Sequence, residues 1–114
     1  MLEKGRTSVS VKVVDDEKSC FTYVPDLAEA TKSLIEDKAL YSIYHLLNEN
    51  AVTWCEAVQE LYRLANVTTK VIPVTSAEFP RPARRPHASV LQNTKRPKMR
   101  HYQEALAEYL HQEL

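Results

Sequence analysis

Three prolines within seven residues restrict the fold of this 114-residue chain more than any other feature. They lie at positions 80, 82 and 86 of the stretch FPRPARRP, residues 79–86, which we name the proline–arginine segment. Each proline fixes its own φ at about −65° and moves the preceding residue out of the helical region. The segment is therefore predicted to be extended and stiff, with its arginines held at fixed positions.

The arginines of this segment have two interpretations. In the first, Arg84 and Arg85 belong to a rigid surface crossing that joins two elements. In the second, one of them presents its guanidinium to a phosphate or carboxylate, because its paired N–H donors match two oxygens of such an anion. Flexible linkers favour Gly and Ser and gain nothing from adjacent arginines, so Arg84 and Arg85 are the candidate ligand-binding residues.

Length and charge restrict the class of protein. A chain of this size can bury roughly two-thirds of its unfolded surface, so one domain without disulfides or metals is expected over residues 1–114. Its 15 basic and 15 acidic residues give a formal net charge of zero, which argues against a dedicated nucleic-acid or membrane-surface protein. Positions 81–100 carry Lys and Arg but no acid, which makes them a local anion-attracting surface.

Targeting and redox signals are weak. No apolar run reaches the roughly 20 residues that span a bilayer, and the N-terminus lacks a signal-peptide core, so a cytoplasmic protein is expected. Cys20 and Cys55 lie far apart without CxxC spacing. Two buried or half-buried thiols are therefore expected rather than a disulfide or a metal site.

A single glycine, Gly5, excludes the glycine-rich phosphate loops. The dinucleotide-binding loop GxGxxG, the P-loop and the GxSxG motif each need at least two glycines in close spacing. No catalytic, cofactor-binding or metal-binding residue is predicted in this chain.

The apolar pattern predicts a small mixed α/β domain of about three helices and three short strands. Alternating valines predict a half-buried strand over residues 8–15. Residues 69–75 predict a second strand, which Pro73 places at an edge or at the end of a sheet. The aromatic and branched run at residues 41–47 predicts a buried strand, in which His45 is expected to be a structural histidine with its hydrogen bonds satisfied.

Three helices are predicted. Residues 25–37 begin with Pro-Asp, which suits a first helical turn, and their expected apolar stripe is Leu27, Ala30, Leu34 and Ile35. Thr53 and Glu56 fit a capping box at the start of a second helix that runs to about Leu64, with Trp54 expected in the core. The terminal helix is marked by Tyr102, Ala105, Leu106, Tyr109 and Leu110.

The central stretch resembles a known family. Residues 71–91 read VIPVTSAEFPRPARRPHASVL and are followed by NTK at 93–95 and YQEAL at 102–106. They resemble the C-terminal part of dTDP-4-dehydrorhamnose reductases, extended short-chain dehydrogenase/reductases of Rossmann type that typically end in Pro-x-Pro-Ala-Arg-Arg-Pro, Ser-x-Leu and a helix with Glu-Ala-Leu. Weaker matches at VVDD (13–16), Thr22, DLA (26–28), IYHL (43–46) and Trp54 extend the resemblance over nearly the whole chain.

The chain also departs from that family. The glycine-rich loop and the Tyr-x-x-x-Lys pair of its dinucleotide-binding half are absent, since none of the six tyrosines is followed four residues later by Lys. Ser19, Phe21, Asn50 and Gln92 stand where the family usually has Gly, Pro, Gly and Asp. Ser19 leaves open whether the turn after Asp16 keeps the family's geometry.

The resemblance implies the substrate-binding half of an enzyme that reduces dTDP-4-dehydrorhamnose to dTDP-rhamnose with NAD(P)H, for surface polysaccharide. No cofactor is expected on this chain, which is expected to be inactive alone. Arg85, with Arg84 beside it, is expected to meet the pyrophosphate of the dTDP-sugar. The structural alternative pairs Arg85 with an acidic residue such as Glu78.

The implied partners are a dTDP-sugar nucleotide and the missing dinucleotide-binding half, with no nucleic acid and no membrane. A strand at residues 41–47 without its sheet would be free to pair with itself, so a homodimer or a local rearrangement is also expected. A second hypothesis, from another class of function, is a non-catalytic interaction or regulatory module that retains the small-domain fold.

Overall fold

The computed structural model describes residues Met1–Glu113, with side chains described as far as Gln112. Within these residues it has helices α1 (Leu2–Thr7), α2 (Val24–Glu36), α3 (Trp54–Leu64) and α4 (Tyr102–Glu113), a 3-10 turn at Ser76–Glu78, and strands β1 (Ser10–Val14), β2 (Lys18–Ser19), β3 (Val52–Thr53), β4 (Lys70–Val74) and β5 (Ala88–Ser89). The predicted mixed α/β class is confirmed. A six-residue α1 and two-residue strands are too short to leave a periodic pattern, and for that reason the observed elements outnumber the predicted ones.

The chain forms two compact units, each made from two separate stretches. The first unit consists of Met1–Ser19 and Ala51–Ser89, and the second unit of Cys20–Asn50 and Val90–Leu114.

In the first unit, α3 packs on a parallel pair of strands. β1 and β4 pair with Val11 opposite Val71 and Val13 opposite Pro73, and both strands were predicted. The described residues give this sheet two strands, so Pro73, which has no N–H to donate, lies on an edge strand as predicted. The buried core is formed by Val11, Val13, Cys55, Val58 and Tyr62.

Local hydrogen bonds fix both ends of α3. Oγ1 of Thr53 accepts from N of Glu56 at 3.1 Å, and Oε2 of Glu56 accepts from N of Thr53 at 2.8 Å, which confirms the predicted capping box. At the other end Asn66 has a φ of 53°, and N of Val67 donates to O of Tyr62 at 2.9 Å. This is a Schellman ending, and the predicted extent of the helix is confirmed.

Trp54 is not a core residue, so that prediction is wrong. Its side chain is 43 % exposed. The buried face of α3 is formed by Cys55, Val58 and Tyr62 at helical spacing, and Trp54 lies about 100° around the helix from Cys55.

The prediction for the two cysteines is confirmed, since Cys55 is buried, Cys20 is half-buried, and both thiols are free.

Gly5 on α1 lies unusually close to a core side chain. A Cβ at this position would lie 2.7 Å from Cζ of Tyr62 and 2.9 Å from its hydroxyl oxygen. Tyr62 is buried, and its hydroxyl donates to O of Met1 at 3.1 Å, so the ring is held in place. Glycine is required at position 5 for space.

The second unit contains α2 and α4. α2 has Pro25 in its first turn, as predicted. It ends in a second Schellman motif, where Lys38 has a φ of 49° and N of Ala39 donates to O of Leu34 at 3.2 Å. No residue of α2 is buried; of its predicted apolar stripe, Ala30 and Leu34 are half-buried, whereas Leu27 and Ile35 are exposed. The terminal amphipathic helix is confirmed, with buried Tyr102, Ala105 and Leu110.

Residues 41–47 do not form a strand, and that prediction is wrong. A strand needs a neighbour to pair its N–H and C=O groups, and the described residues supply only an isolated bridge between Glu49 and His101 nearby. His45 is exposed and makes no hydrogen bond with the described residues, so the prediction of a satisfied histidine is also wrong. The homodimer expected from this strand stays a prediction.

Two departures from the family pattern have a clear geometry. Asn50 has a φ of 75°, in the left-handed region that favours Gly and tolerates Asn. Ser19 lies in β2, where it pairs with Val52 of β3 and Ser89 of β5. Ser19 therefore has an extended backbone that needs no glycine.

Candidate functional site

The acidic run after β1 anchors the chain on either side of the proline–arginine segment. Asp16 accepts two hydrogen bonds from Ser76, from the backbone N to Oδ1 and from Oγ to Oδ2, each of 2.9 Å. The bond from the backbone N of Ser76 is the main reason why the pKa of Asp16 is lowered. Asp16 is thus held charged at the start of the 3-10 turn that precedes the segment.

A second anchor lies within the segment. The guanidinium of Arg81 pairs with the carboxylate of Glu17. Glu17 is buried, and a buried carboxylate needs a paired cation to remain charged. Arg81 is therefore committed to an internal ion pair and is not available to a ligand.

The third anchor follows the segment. N of Lys18 donates to O of His87 at 2.8 Å, and β2 then pairs in parallel with β5. Nδ1 of His87 lies 2.9 Å from O of Asp16, and because a carbonyl oxygen can only accept, Nδ1 carries the hydrogen. Both ends of the segment are therefore attached to residues 16–18.

Between these anchors, Arg84 and Arg85 remain open to solvent. Both are exposed, and neither makes a hydrogen bond or an ion pair with the described residues. The alternative partner, Glu78, pairs instead with Lys12 at 3.2 Å. The two guanidiniums are thus free to bind an anion, and their role in binding substrate stays a prediction.

The second unit contains a polar network that sequence reasoning missed. Nε and Nη2 of Arg100 each donate to Asp26 at 2.8 Å. Nη1 of Arg100 lies 2.6 Å from Glu108. The hydrogen bonds from Arg100 lower the pKa of Asp26. The two partners lie 74 positions apart, and no local pattern relates them.

Asn48 stands at the centre of this network. Its side chain has no exposed surface; Oδ1 accepts from N of Tyr23 at 2.8 Å, and Nδ2 donates to Oδ2 of Asp26 at 2.7 Å and to O of Arg100 at 3.2 Å. Both N–H groups and the carbonyl oxygen of its amide are therefore hydrogen-bonded, and α2 is joined to the chain before α4.

Two clefts lie in the second unit. The larger, of about 370 Å³, lies beside α2 and is lined by Asp26, Glu29, Ala30, Ser33, Leu46, Arg96, Pro97, Met99 and Arg100. The smaller, of about 310 Å³, is lined by Ile43, His45, Gln92, Thr94 and Lys95. Both arginines of the larger cleft are already paired, Arg96 with Asp37 and Arg100 with Asp26. The unpaired guanidiniums of the proline–arginine segment remain better candidates for an anion.

A family model described as RmlD substrate binding domain matches residues 1–114. This chain belongs to that family. A spore coat polysaccharide biosynthesis protein from Bacillus subtilis is 34% identical over an alignment of 116 residues. The alignment covers 96% of this chain and 40% of that protein. The resemblance identified from the sequence is confirmed.

Solved structures of the family have the same fold. The crystal structure of a dTDP-4-dehydrorhamnose reductase from Clostridium acetobutylicum matches with a TM-score of 0.92 and 34% identity, over 97% of this chain and 41% of that chain. The enzyme of that name from Bacillus anthracis, in complex with NADP, matches with a TM-score of 0.91 and 28% identity, over the same shares. The chain thus spans about two-fifths of the length of these relatives.

Two further properties concern the described residues alone. Residues 1–113 contain no helix that is long and apolar enough to cross a membrane. Across the same residues, no three His, Cys, Asp or Glu side chains come together in a way that could hold a metal ion.

Proposed function

We propose that this chain is the substrate-binding part of a reductase that converts dTDP-4-dehydrorhamnose to dTDP-rhamnose with NAD(P)H. The observation that carries the proposal is the match of the substrate-binding family model to residues 1–114. The names of the similar proteins support both the reduction and a use in polysaccharide synthesis. A cytoplasmic location of the reaction is part of the same proposal.

In this proposal Arg84 and Arg85 bind the pyrophosphate of the sugar nucleotide. Three anchors at residues 16–18 hold the surrounding backbone, and the prolines limit its freedom further. A restrained backbone lowers the entropy lost on binding, and each guanidinium can donate two parallel hydrogen bonds to phosphate oxygens. The internal pair of Arg81 with Glu17 leaves these two side chains as the ligand-facing charges of the segment.

The nicotinamide cofactor does not fit this chain. A dinucleotide cradle needs glycines at which the backbone approaches the phosphates, whereas the single glycine, Gly5, lies on α1 with the Tyr62 ring filling the space beside it. Hydride and proton are therefore supplied by the dinucleotide-binding part of the enzyme. The isolated chain is expected to bind nucleotide and to show no turnover.

The test is an NMR titration of the chain with dTDP. We expect the side-chain Nε–Hε signals of Arg84 and Arg85 to shift and the binding to saturate. The double variant Arg84→Ala/Arg85→Ala should weaken binding by at least about tenfold, because a hydrogen bond to a charged group contributes about 1.5–3 kcal/mol. Arg6→Ala, which removes an exposed arginine from α1, is the matched control and should leave binding unchanged.

Replacement of both arginines by Lys separates two kinds of recognition. Lys keeps the positive charge but not the planar fork, so intermediate affinity indicates bidentate contact. Equal affinity of the Lys, Ala and wild-type chains would contradict the proposed role of the arginines. Complete absence of nucleotide binding would instead favour the non-catalytic interaction module.

A further inference from the structure

His87 lies two residues beyond Arg85, and one nitrogen atom of its ring is left unused by the fold. The side chain is 78% exposed. Nδ1 donates its hydrogen to O of Asp16 at 2.9 Å, so Nε2 is the nitrogen without a hydrogen when the ring is neutral. Among the described residues, no group forms a hydrogen bond or an ion pair with Nε2. The ring is therefore held at one edge, and its other edge is open to a ligand.

The backbone places His87 near the two free arginines. The chain advances by at most about 3.6 Å per residue, so the Cα atoms of Arg85 and His87 lie within about 7 Å of each other. N of Lys18 donates to O of His87 at 2.8 Å, and β5 begins at the next residue, which fixes the backbone at this point. A diphosphate held by the guanidinium of Arg85 is therefore within reach of the His87 ring.

The charges around His87 favour an anion when the ring is protonated. The carboxylate of Asp16 lies 3.9 Å from Nδ1, and a hydrogen bond from N of Ser76 lowers the pKa of Asp16, so a negative charge stands beside the ring. The two stretches that meet at His87 carry four cations and three anions, namely Lys18, Arg81, Arg84 and Arg85 against Asp15, Asp16 and Glu17. A protonated ring raises this excess from one positive charge to two.

We infer that His87 is a third anion-binding residue beside Arg84 and Arg85, and that its Nε2 donates to a phosphate oxygen of the sugar nucleotide when the ring is protonated. The neutral ring offers only a lone pair at Nε2, which cannot bind a phosphate oxygen. A proton at Nε2 supplies a donor and a positive charge together, and hydrogen bonds between charged groups are the stronger ones. This inference rests on the proposed function, because it adds a contact and a pH dependence to the same binding site.

The test is the affinity of the chain for dTDP-glucose, measured by calorimetry at several pH values. This probe replaces dTDP because a terminal phosphate takes up a proton at about pH 6, whereas the diphosphate of dTDP-glucose has no terminal phosphate. Histidine changes its charge between about pH 5 and 8, so the dissociation constant should fall by about three- to tenfold from about pH 8 to about pH 5.5. By reciprocity, saturating dTDP-glucose should move the titration midpoint of the His87 ring signals in NMR spectra to higher pH.

Three variants separate His87 from the other histidines. His87→Asn retains a donor near the position of Nδ1 but has no group at the position of Nε2, so its affinity should not rise at acid pH. His87→Arg carries a permanent charge and should bind at about pH 8 as tightly as the wild type does at about pH 5.5. His45→Asn, at an exposed histidine of the second unit, is the matched control and should keep the pH dependence of the wild type.

Two outcomes would overturn the inference and leave the roles of Arg84 and Arg85 intact. One is a wild-type affinity that does not change with pH, and the other is the same pH dependence in the wild type and in His87→Asn. Absence of dTDP-glucose binding at every pH would refute the proposed function together with the inference.

Discussion

Replacement of Asn48 by Ala should cost this chain about 3 kcal/mol of unfolding free energy. The change removes three hydrogen bonds from a side chain with no exposed surface. O of Arg100 keeps a bond from N of Glu49, and Asp26 keeps the guanidinium of Arg100. N of Tyr23 is the part-buried group left without its acceptor, and an unpaired donor away from water costs up to about 1–3 kcal/mol.

The rest of the estimate comes from the two bonds that Nδ2 donates. The one to the Asp26 carboxylate contributes about 1.5–3 kcal/mol, and the one to a neutral carbonyl about 0.5–1.5 kcal/mol. Refilling of the vacated space by neighbouring side chains offsets part of this sum, which brings the expected total to about 3 kcal/mol.

Urea unfolding followed by circular dichroism measures the effect. The midpoint should fall at an unchanged slope, which shows that stability rather than compactness has changed. Gln92→Ala, which truncates an exposed amide on the surface, should stay within about 0.5 kcal/mol of the wild type. A loss of less than about 1 kcal/mol for Asn48→Ala would refute the reasoning that the amide network holds α2 in place.

Three further predictions concern single positions. Gly5→Ala should cost about 1–3 kcal/mol in the same unfolding assay, because the new Cβ overlaps the Tyr62 ring; an unchanged midpoint would show that α1 is not held against the core. The hydrogen bonds from Arg100 lower the pKa of Asp26. The stability that Asp26 contributes is therefore fully present above its pKa in the unfolded chain, about 3.9, and is lost as the pH falls through its lower pKa in the folded chain. Asp26→Asn should flatten the loss of stability at acid pH, and an unchanged pH profile of stability would contradict the prediction. Asn50→Gly should raise stability by a few tenths of a kcal/mol to about 1 kcal/mol, because Asn50 has a φ of 75°; a lower melting temperature would count against that strain.

The elements that sequence predicts well are those whose signals are local. Thr53 and Glu56 lie three residues apart and cap each other, so their pattern alone is sufficient to predict the start of α3. The alternating valines of β1 show their buried face in the same way. Residues 41–47 failed because a buried strand is defined by its neighbours, and the described residues do not supply them.

In the candidate site, too, sequence predicts the features with local signals and misses the contacts between distant residues. The stiffness of the proline–arginine segment follows from proline geometry, and the binding role of the exposed Arg84 and Arg85 stays a prediction. The ion pair of Arg81 with Glu17 and the bonds of Asp16 to Ser76 join residues 60 or more positions apart. The acidic run at 15–17 could have suggested cationic partners, but only the fold shows which arginine is used internally.

The alternation of the two units along the chain has a consequence for synthesis on the ribosome. The first unit has all its residues once Ser89 has emerged, whereas Cys20–Asn50 must wait for α4. At translation rates of about 5–20 residues per second, that wait lasts roughly 3–12 seconds. During this wait Asp26 of α2 lacks Arg100, the cation with which it pairs in the finished fold.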